Sequence, residues 1–162
     1  MKYLPIDSQL FIKNRSKFAS KMKPNSMAVL NSNDIYPISA DSTLPFAQQR
    51  DIFYLSGVDQ EESVLVIFPD CPKEEHREIL FLKETNEHIA VWEGEKLTRE
   101  KALETSGIEK IYWLHEMEKI LFELMTQAER VYLNTNEHYR ASVETETRDA
   151  RFIKWLQKKY PA

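Results

Sequence analysis

The sequence predicts an α/β domain in which a mixed β-sheet is flanked by helices in a three-layer arrangement. Short β-prone runs follow one another closely in the middle of the chain, which is typical of hairpins, whereas strands and helical segments alternate in the second half. With 162 residues, 42% hydrophobic and 30% charged, the chain fits a single folded domain over residues 1–162.

The first third of the chain predicts a helix, a strand and a long loop. Asp7 and Ser8 can cap a helix over residues 8–22, and Pro24 closes it. The apolar run Met27–Leu30 suits a buried strand. The stretch Asn31–Gln49 is polar and contains two prolines. It predicts a long loop, and long loops within compact domains are often functional.

The middle of the chain predicts a hairpin and two further strands. Ile52–Leu55 and Ser63–Phe68 are β-prone runs on either side of a turn that Gly57 can supply. The second run does not alternate with polar residues, so we expect it to be covered on both faces and to lie centrally in the sheet. Ile79–Lys83 and His88–Trp92 predict the next strands.

The second half predicts alternating helices and strands. A short helix begins at Thr98 and stops near Ser106, because Gly107 suits a left-handed residue at a helix C-terminus. A helix from Glu116 carries the clearest one-sided apolar pattern, which is Met117, Ile120, Leu121, Leu124 and Met125. The remaining predicted elements are strands at Lys110–Leu114 and Arg130–Asn134, and a final helix over Ala141–Lys158.

Composition argues against several classes of partner. A net charge of −4 and a pI near 5.6 provide no basic surface for nucleic acid or for an anionic membrane. No window approaches the length of a membrane span or of a signal peptide. Cys71 is the only cysteine, so no internal disulfide can form. These features predict a cytoplasmic protein.

The residues alone do not identify an active site. Three glycines leave no Gly-rich phosphate loop. The four histidines, His76, His88, His115 and His138, lack metal-binding spacing, and exposed positions suit His88, His115 and His138. Cys71 lies beside Asp70, which disfavours a thiolate, and Ser56-Gly57 lacks the preceding glycine of a nucleophile elbow.

Two motifs are more specific. The stretch 39–57 contains Asp41, then Pro45-Phe46-Ala47-Gln48, then Phe53-Tyr54-Leu55-Ser56-Gly57, and Trp92-Glu93-Gly94 follows later. In order and spacing they resemble the N-terminal domain of Xaa-Pro aminopeptidases of the creatinase and prolidase superfamily, over nearly the whole chain. One position departs from the family pattern, because Ala47 stands where an arginine is usual, and Arg50 offers a nearby charge.

The resemblance implies a mixed sheet flanked by helices, followed by a catalytic domain of the pita-bread fold that this chain lacks. In such enzymes that domain holds two metal ions, typically manganese, and removes an N-terminal residue that precedes proline. No cofactor is therefore expected in this chain. The expected partners are its own C-terminal catalytic domain, further copies of itself, and a peptide substrate with proline at the second position.

The resemblance also implies roles for Asp41 and Trp92 in substrate binding. In similar enzymes the matching Asp lies near the free amino terminus of the substrate, and the matching Trp reaches toward the active-site mouth from a neighbouring subunit. A carboxylate complements an ammonium group, and an indole offers a flat apolar wall. The alternatives are an Asx turn at Asp41 and ordinary packing at Trp92. Phe53 and Tyr54, alternating on the predicted strand, suit packing.

Three functions remain open on the sequence. The first is the non-catalytic N-terminal domain of an Xaa-Pro aminopeptidase, which contributes contacts at the substrate mouth and between subunits. The second is an independent binding or assembly module of the same fold. The third is a stand-alone hydrolase built from scattered histidines and carboxylates. The reading frame after Ala162 separates the first from the second.

Overall fold

The computed structural model describes residues 4–86, 88, 96–135 and 145–161. Within these ranges the helices are α1 (Ser8–Ala19), α2 (Arg50–Ser56), α3 (Arg99–Ser106), α4 (Met117–Met125) and α5 (Arg148–Lys159). The strands are β1 (Ser26–Asn31), β2 (Pro37–Ser39), β3 (Ser42–Thr43), β4 (Val64–Ile67), β5 (Glu78–Leu82), β6 (Lys110–Trp113) and β7 (Arg130–Leu133). Short 3-10 turns occupy Glu74–His76 and Leu114–Glu116.

Five of these strands form one mixed sheet in the order β6-β5-β4-β1-β7. The inner pairs β1 with β4 and β4 with β5 are antiparallel, whereas the outer pairs β1 with β7 and β5 with β6 are parallel. Strands β2 and β3 form a separate two-stranded hairpin. The predicted mixed sheet is therefore confirmed.

Helices cover both faces of the sheet, which confirms the three layers. Because side chains alternate along a strand, each of the strands β1, β4 and β5 contributes to two apolar clusters. One cluster, under α1, α2 and α3, includes Ala28, Leu30, Ile52, Leu55, Leu65, Leu80 and Ala102. The other, under α4 and α5, includes Met27, Val29, Val66, Phe81, Leu121, Leu124 and Leu156.

Most predicted elements are confirmed. Asp7 caps α1 by accepting a hydrogen bond from the Gln9 amide, and Thr98 caps α3 by accepting one from the Lys101 amide. Gly107 ends α3 with a φ of 69°. Every residue of β4 is at most 1% exposed, as expected for a strand covered on both faces.

The strand predicted at Ile52–Leu55 is wrong, because this run lies in helix α2. The Gln49 side chain caps the helix by accepting hydrogen bonds from the amides of Asp51 and Ile52. Gly57 ends it in the left-handed region, with a φ of 71°. The predicted hairpin therefore does not exist, and β4 pairs with β1 and β5 instead. Capping at both ends outweighs the β-propensity of four residues.

Three further boundaries differ from prediction. Helix α1 ends at Ala19 instead of residue 22. The stretch 31–49 is not wholly loop, since it contains β2 and β3. The last helix begins at Arg148, because Thr147 accepts a hydrogen bond from the Ala150 amide and starts the helix there, so residues 145–147 of the predicted helix are not helical. Residues 141–144 of that prediction lie outside the described residues. Of the predicted strand His88–Trp92, only His88 belongs to the described residues. No helix in the described ranges is long and apolar enough to cross a membrane.

A buried arginine joins the three helices on one face. Arg15 in α1 is 0% exposed. Its guanidinium donates hydrogen bonds to the carbonyls of Leu55 and Ser106, at 2.8 and 2.9 Å, and to the carboxylate of Glu78 at 2.8 Å. Leu55 and Ser106 lie at the C-terminal ends of α2 and α3, where carbonyls lack helical partners and a cation is favoured.

Candidate functional site

The hairpin of β2 and β3 carries Asp41 near its tip. Ser39 lies opposite Ser42, and Ala40 adopts a left-handed φ of 48° in the turn between them. Asp41 is exposed, and within the described part of the chain its carboxylate accepts no hydrogen bond. The Asx-turn alternative for Asp41 is therefore not supported. Its negative charge faces solvent, where a cationic group can approach it.

The same hairpin segment carries large apolar side chains that are exposed. Ile35, Tyr36, Ile38 and Leu44 are 43%, 52%, 61% and 50% exposed. The hairpin is nevertheless closed at its base, since the Leu44 amide donates to the Tyr36 carbonyl at 2.9 Å. A cluster of exposed apolar residues beside an ionised group is typical of a contact surface.

Gln48 attaches the end of the hairpin segment to the body of the domain. Its amide nitrogen donates to the carbonyls of Val58 and Gln60, at 3.1 and 2.8 Å, and lies 3.3 Å from the Ser63 hydroxyl. The neighbouring Ala47 contributes only its main-chain carbonyl, which accepts a hydrogen bond from Asn33 at 2.9 Å. Gln48 of the Pro-Phe-Ala-Gln motif thus serves to position the hairpin.

Position 47, which departs from the family pattern, carries an alanine and therefore no side-chain charge. Ala47 is exposed, and Arg50, the nearest arginine in sequence, is exposed on the first residue of α2.

A polar cluster lies beneath the hairpin, where β1 ends and α5 begins. Asp149 is 5% exposed and accepts a hydrogen bond from Asn31 at 3.5 Å. Nearby, Arg151 donates to both carboxylate oxygens of Asp34, at 2.9 and 2.8 Å. Burial, reinforced by the negative charges of Asp51 and Asp34, raises the pKa of Asp149 to about 6. The cluster ties the last helix to the strand from which the hairpin segment departs.

Sequence reasoning missed Asn31 and Asp149. The two residues are 118 positions apart, and neither belongs to a local motif, so no signal in the sequence links them. Only the parallel pairing of β7 with β1 brings the start of α5 to the end of β1.

The predicted pair of substrate-binding residues is not tested by the structure. Asp41 is described, but Trp92 lies outside the described residues, as do Glu93 and Gly94. The functions expected of both residues therefore stay predictions.

The histidines occupy unrelated positions. His88 and His115 are exposed, and His138 lies outside the described residues. His76 is buried. Its ring nitrogen lies 3.1 Å from the Tyr112 hydroxyl, and burial lowers its pKa. Across the described residues no three His, Cys, Asp or Glu side chains are grouped to hold a metal ion.

Comparison with known proteins connects the whole domain to one family. The family model described as aminopeptidase P, N-terminal domain, matches residues 11–132. The Xaa-Pro aminopeptidase of Escherichia coli is 28% identical over 138 residues, which is 85% of this chain and 31% of that protein. Human Xaa-Pro aminopeptidase 3 is 26% identical over 106 residues, which is 64% of this chain and 21% of that protein. The chain thus spans less than a third of the length of these relatives.

Solved structures show the same fold. An aminopeptidase from Pseudomonas aeruginosa superposes with a TM-score of 0.79 at 22% identity, covering 96% of this chain and 33% of that one. A low-pH form of Escherichia coli aminopeptidase P superposes with a TM-score of 0.76 at 24% identity, covering 95% and 33%. The resemblance found in the motifs and the predicted fold class are both confirmed.

Proposed function

Since this chain belongs to the aminopeptidase P N-terminal domain family, we propose that it is the non-catalytic N-terminal domain of an Xaa-Pro aminopeptidase. The observation that carries the proposal is the extent of the match. One family model covers residues 11–132, and the chain accounts for 31% of the Escherichia coli relative. The remaining length of such a relative leaves room for a catalytic domain, which is the principal partner we propose for this one.

The metal chemistry belongs, in this proposal, to that partner domain. Manganese ions prefer sites with several carboxylate or imidazole ligands. The described residues contain no group of three such side chains, so they do not fit a manganese site. No step of peptide hydrolysis is assigned to them.

Asp41 is the substrate-contacting residue of the proposal. It is exposed beyond the body of the domain, on a hairpin whose base is attached through Gln48. A carboxylate held in this way suits the free ammonium group of a peptide, because a charge-assisted hydrogen bond complements it. Trp92 is proposed to form an apolar wall at the mouth of the site, next to a neighbouring subunit.

The non-catalytic assignment can be tested with the 162-residue chain itself. The purified chain, supplied with manganese, is expected to leave an Ala-Pro peptide intact, as measured by release of free alanine. Hydrolysis that co-purifies with the chain through successive columns would overturn the non-catalytic assignment. The Escherichia coli aminopeptidase is the positive control.

The substrate contact is tested in the complete aminopeptidase that contains this domain. Asp41→Asn removes the charge while keeping the shape. We expect kcat/KM for an Xaa-Pro peptide to fall by about 10- to 150-fold, since a charged hydrogen bond contributes roughly 1.5–3 kcal/mol. Glu104→Gln, on an exposed acid of α3, is the matched control and is expected to have no effect. An unchanged kcat/KM in Asp41→Asn would remove Asp41 from the site.

A further inference from the structure

An apolar groove runs along one edge of the sheet, between strand β7 and helices α1 and α2. Its volume is about 400 Å³, and its apolar lining is Phe18, Leu30, Tyr54, Leu55, Tyr132 and Leu133. The two tyrosines are strongly exposed, at 52% for Tyr54 and 40% for Tyr132. This groove is separate from the hairpin that carries Asp41.

The strand beside the groove is an edge strand. Strand β7 pairs with β1 on one side, and no strand of the described ranges pairs with its other side. An edge strand presents main-chain donors and acceptors that a further strand can satisfy. A groove next to such an edge has the geometry used for binding an extended strand, because alternate side chains of the added strand enter the groove.

The two ends of β7 lie beside opposite charges on the groove side, with Arg130 at one end and the carboxylate of Asp51 from α2 at the other. Tyr132 is the register partner of Ala28, whose side chain packs in the cluster under α1 and α2. Alternation places Arg130 and Asn134 on this same face. The Arg130 side chain is 52% exposed. At the other end, Asn134 donates to the carboxylate of Asp51 at 2.7 Å.

We propose that a second copy of this chain binds here by pairing its own β7 antiparallel to the first. In the two-fold register with Tyr132 opposite Tyr132 of the second copy, Arg130 lies opposite Asn134 of the second copy. Arg130 then approaches the Asp51 carboxylate that Asn134 contacts. Symmetry repeats the contact at the other end, as an isologous interface requires.

The charges of Arg130 and Asp51 favour a second copy of this chain in the antiparallel orientation. An antiparallel pair places Arg130 of each copy against Asn134 and Asp51 of the other copy, whereas a parallel pair would place Arg130 against Arg130. Directly opposite residues on an antiparallel pair lie about 4.5–5.5 Å apart, close enough for the ion pair to form. Arg130 leaves its exposed contact with the adjacent Glu129 to do so, which costs little because exposed ion pairs contribute about 0–1 kcal/mol.

The β7 pairing assigns a surface to the subunit contacts of the proposed function. It rests on that part of the proposed function alone. A monomeric chain would overturn the pairing without affecting the assignment of Asp41. Conversely, peptidase activity in the isolated chain would leave the pairing untouched.

Sedimentation equilibrium of the 162-residue chain at micromolar concentration and low salt tests the pairing. We expect a monomer–dimer equilibrium. Arg130→Glu and Asp51→Lys are each expected to raise the dimer Kd at least tenfold, and the double variant is expected to recover most of the loss, because the charges are then exchanged. Lys101→Glu, an exposed charge reversal on α3, is the control and is expected to leave Kd unchanged.

Two results would overturn the proposal. One is a monomer at every concentration, and the other is a double variant that dimerises no better than the weaker single variant. Circular dichroism checks that Asp51→Lys, which loses the contacts of Asp51 with Gln49 and Asn134, remains folded. If it does not, Arg130→Glu decides alone, since Arg130 is exposed and its reversal leaves the core intact.

Discussion

The central strand and the Asp41 hairpin are opposites within one small domain. Every residue of β4 is at most 1% exposed, whereas every residue of β2 and β3 is exposed. The first is covered by two apolar clusters, and the second is attached mainly at its base. The contrast indicates that folding free energy comes from the sheet and its helices, and that the hairpin is free to serve contacts with other molecules.

The largest expected effect concerns the buried arginine that joins the helices over the sheet. Arg15→Met should lower the free energy of unfolding by about 2–6 kcal/mol, because it leaves two helix-end carbonyls without a donor, at about 1–3 kcal/mol each, and removes the partner of Glu78. Urea unfolding followed by tryptophan fluorescence measures it. The matched control is Arg99→Met, whose guanidinium is half exposed over the Trp113 ring, with an expected loss of at most about 1 kcal/mol. Equal losses in the two variants would contradict a special role for Arg15.

A smaller effect is expected where the body of the domain meets the hairpin segment. The pKa of Asp149 is about 6 in the folded state and 3.8 in the reference state, so between these pH values the folded state binds more protons than the unfolded state. The contribution of Asp149 to the free energy of unfolding should therefore fall as the pH rises from about 4 to 6 and should level off above 6. Asp149→Asn should reduce this fall by roughly 1–3 kcal/mol, since each pKa unit corresponds to about 1.4 kcal/mol.

Urea titrations of both proteins at pH 4, 5, 6 and 7 measure the difference. Parallel pH profiles for the wild type and Asp149→Asn would show that this carboxyl group is not responsible for the dependence.

The smallest effect is expected on the hairpin. It tests the contrast between the hairpin and the central strand β4 most directly. Ile38→Ala should change the free energy of unfolding by no more than about 0.5 kcal/mol, because Ile38 is 61% exposed. The same substitution at Ile67, which is 1% exposed in β4, should cost about 2–5 kcal/mol. Thermal and urea unfolding of the pair gives both values. A loss above 1 kcal/mol at Ile38 would mean that the hairpin contributes to the fold.

Helix α2 shows where sequence reasoning was incomplete. The run from Ile52 to Leu55 has strong β-propensity, and the flanking Gly57 suits a hairpin turn as well as a helix end. A glutamine cap at Gln49 and burial of Ile52, Leu55 and Ser56 at helical spacing decide in favour of the helix. The same helical spacing is present in the sequence. A run of seven residues is too short, however, for that period to be recognised against the strong β-propensity of Ile52–Leu55.

Only part of the candidate site could be predicted from the sequence. Asp41 and Gln48 were recognisable because they belong to a local motif with fixed spacing. Asp149 with Asn31, and Asp51 with Asn134, were not recognisable, because each pair joins residues more than 80 positions apart. Only strand order in the sheet brings such residues together.

The sequence by itself determined the family, the mixed sheet with helices on both faces, the buried central strand and the interest of Asp41. Hydrophobic runs, caps and motif spacing are local, so they can be recognised in one dimension. Tertiary structure decided that 52–55 is helical, that Arg15 joins three helices, and that an apolar groove lies beside the edge of β7. These features depend on contacts between distant segments, which form only when the sheet brings its strands into register.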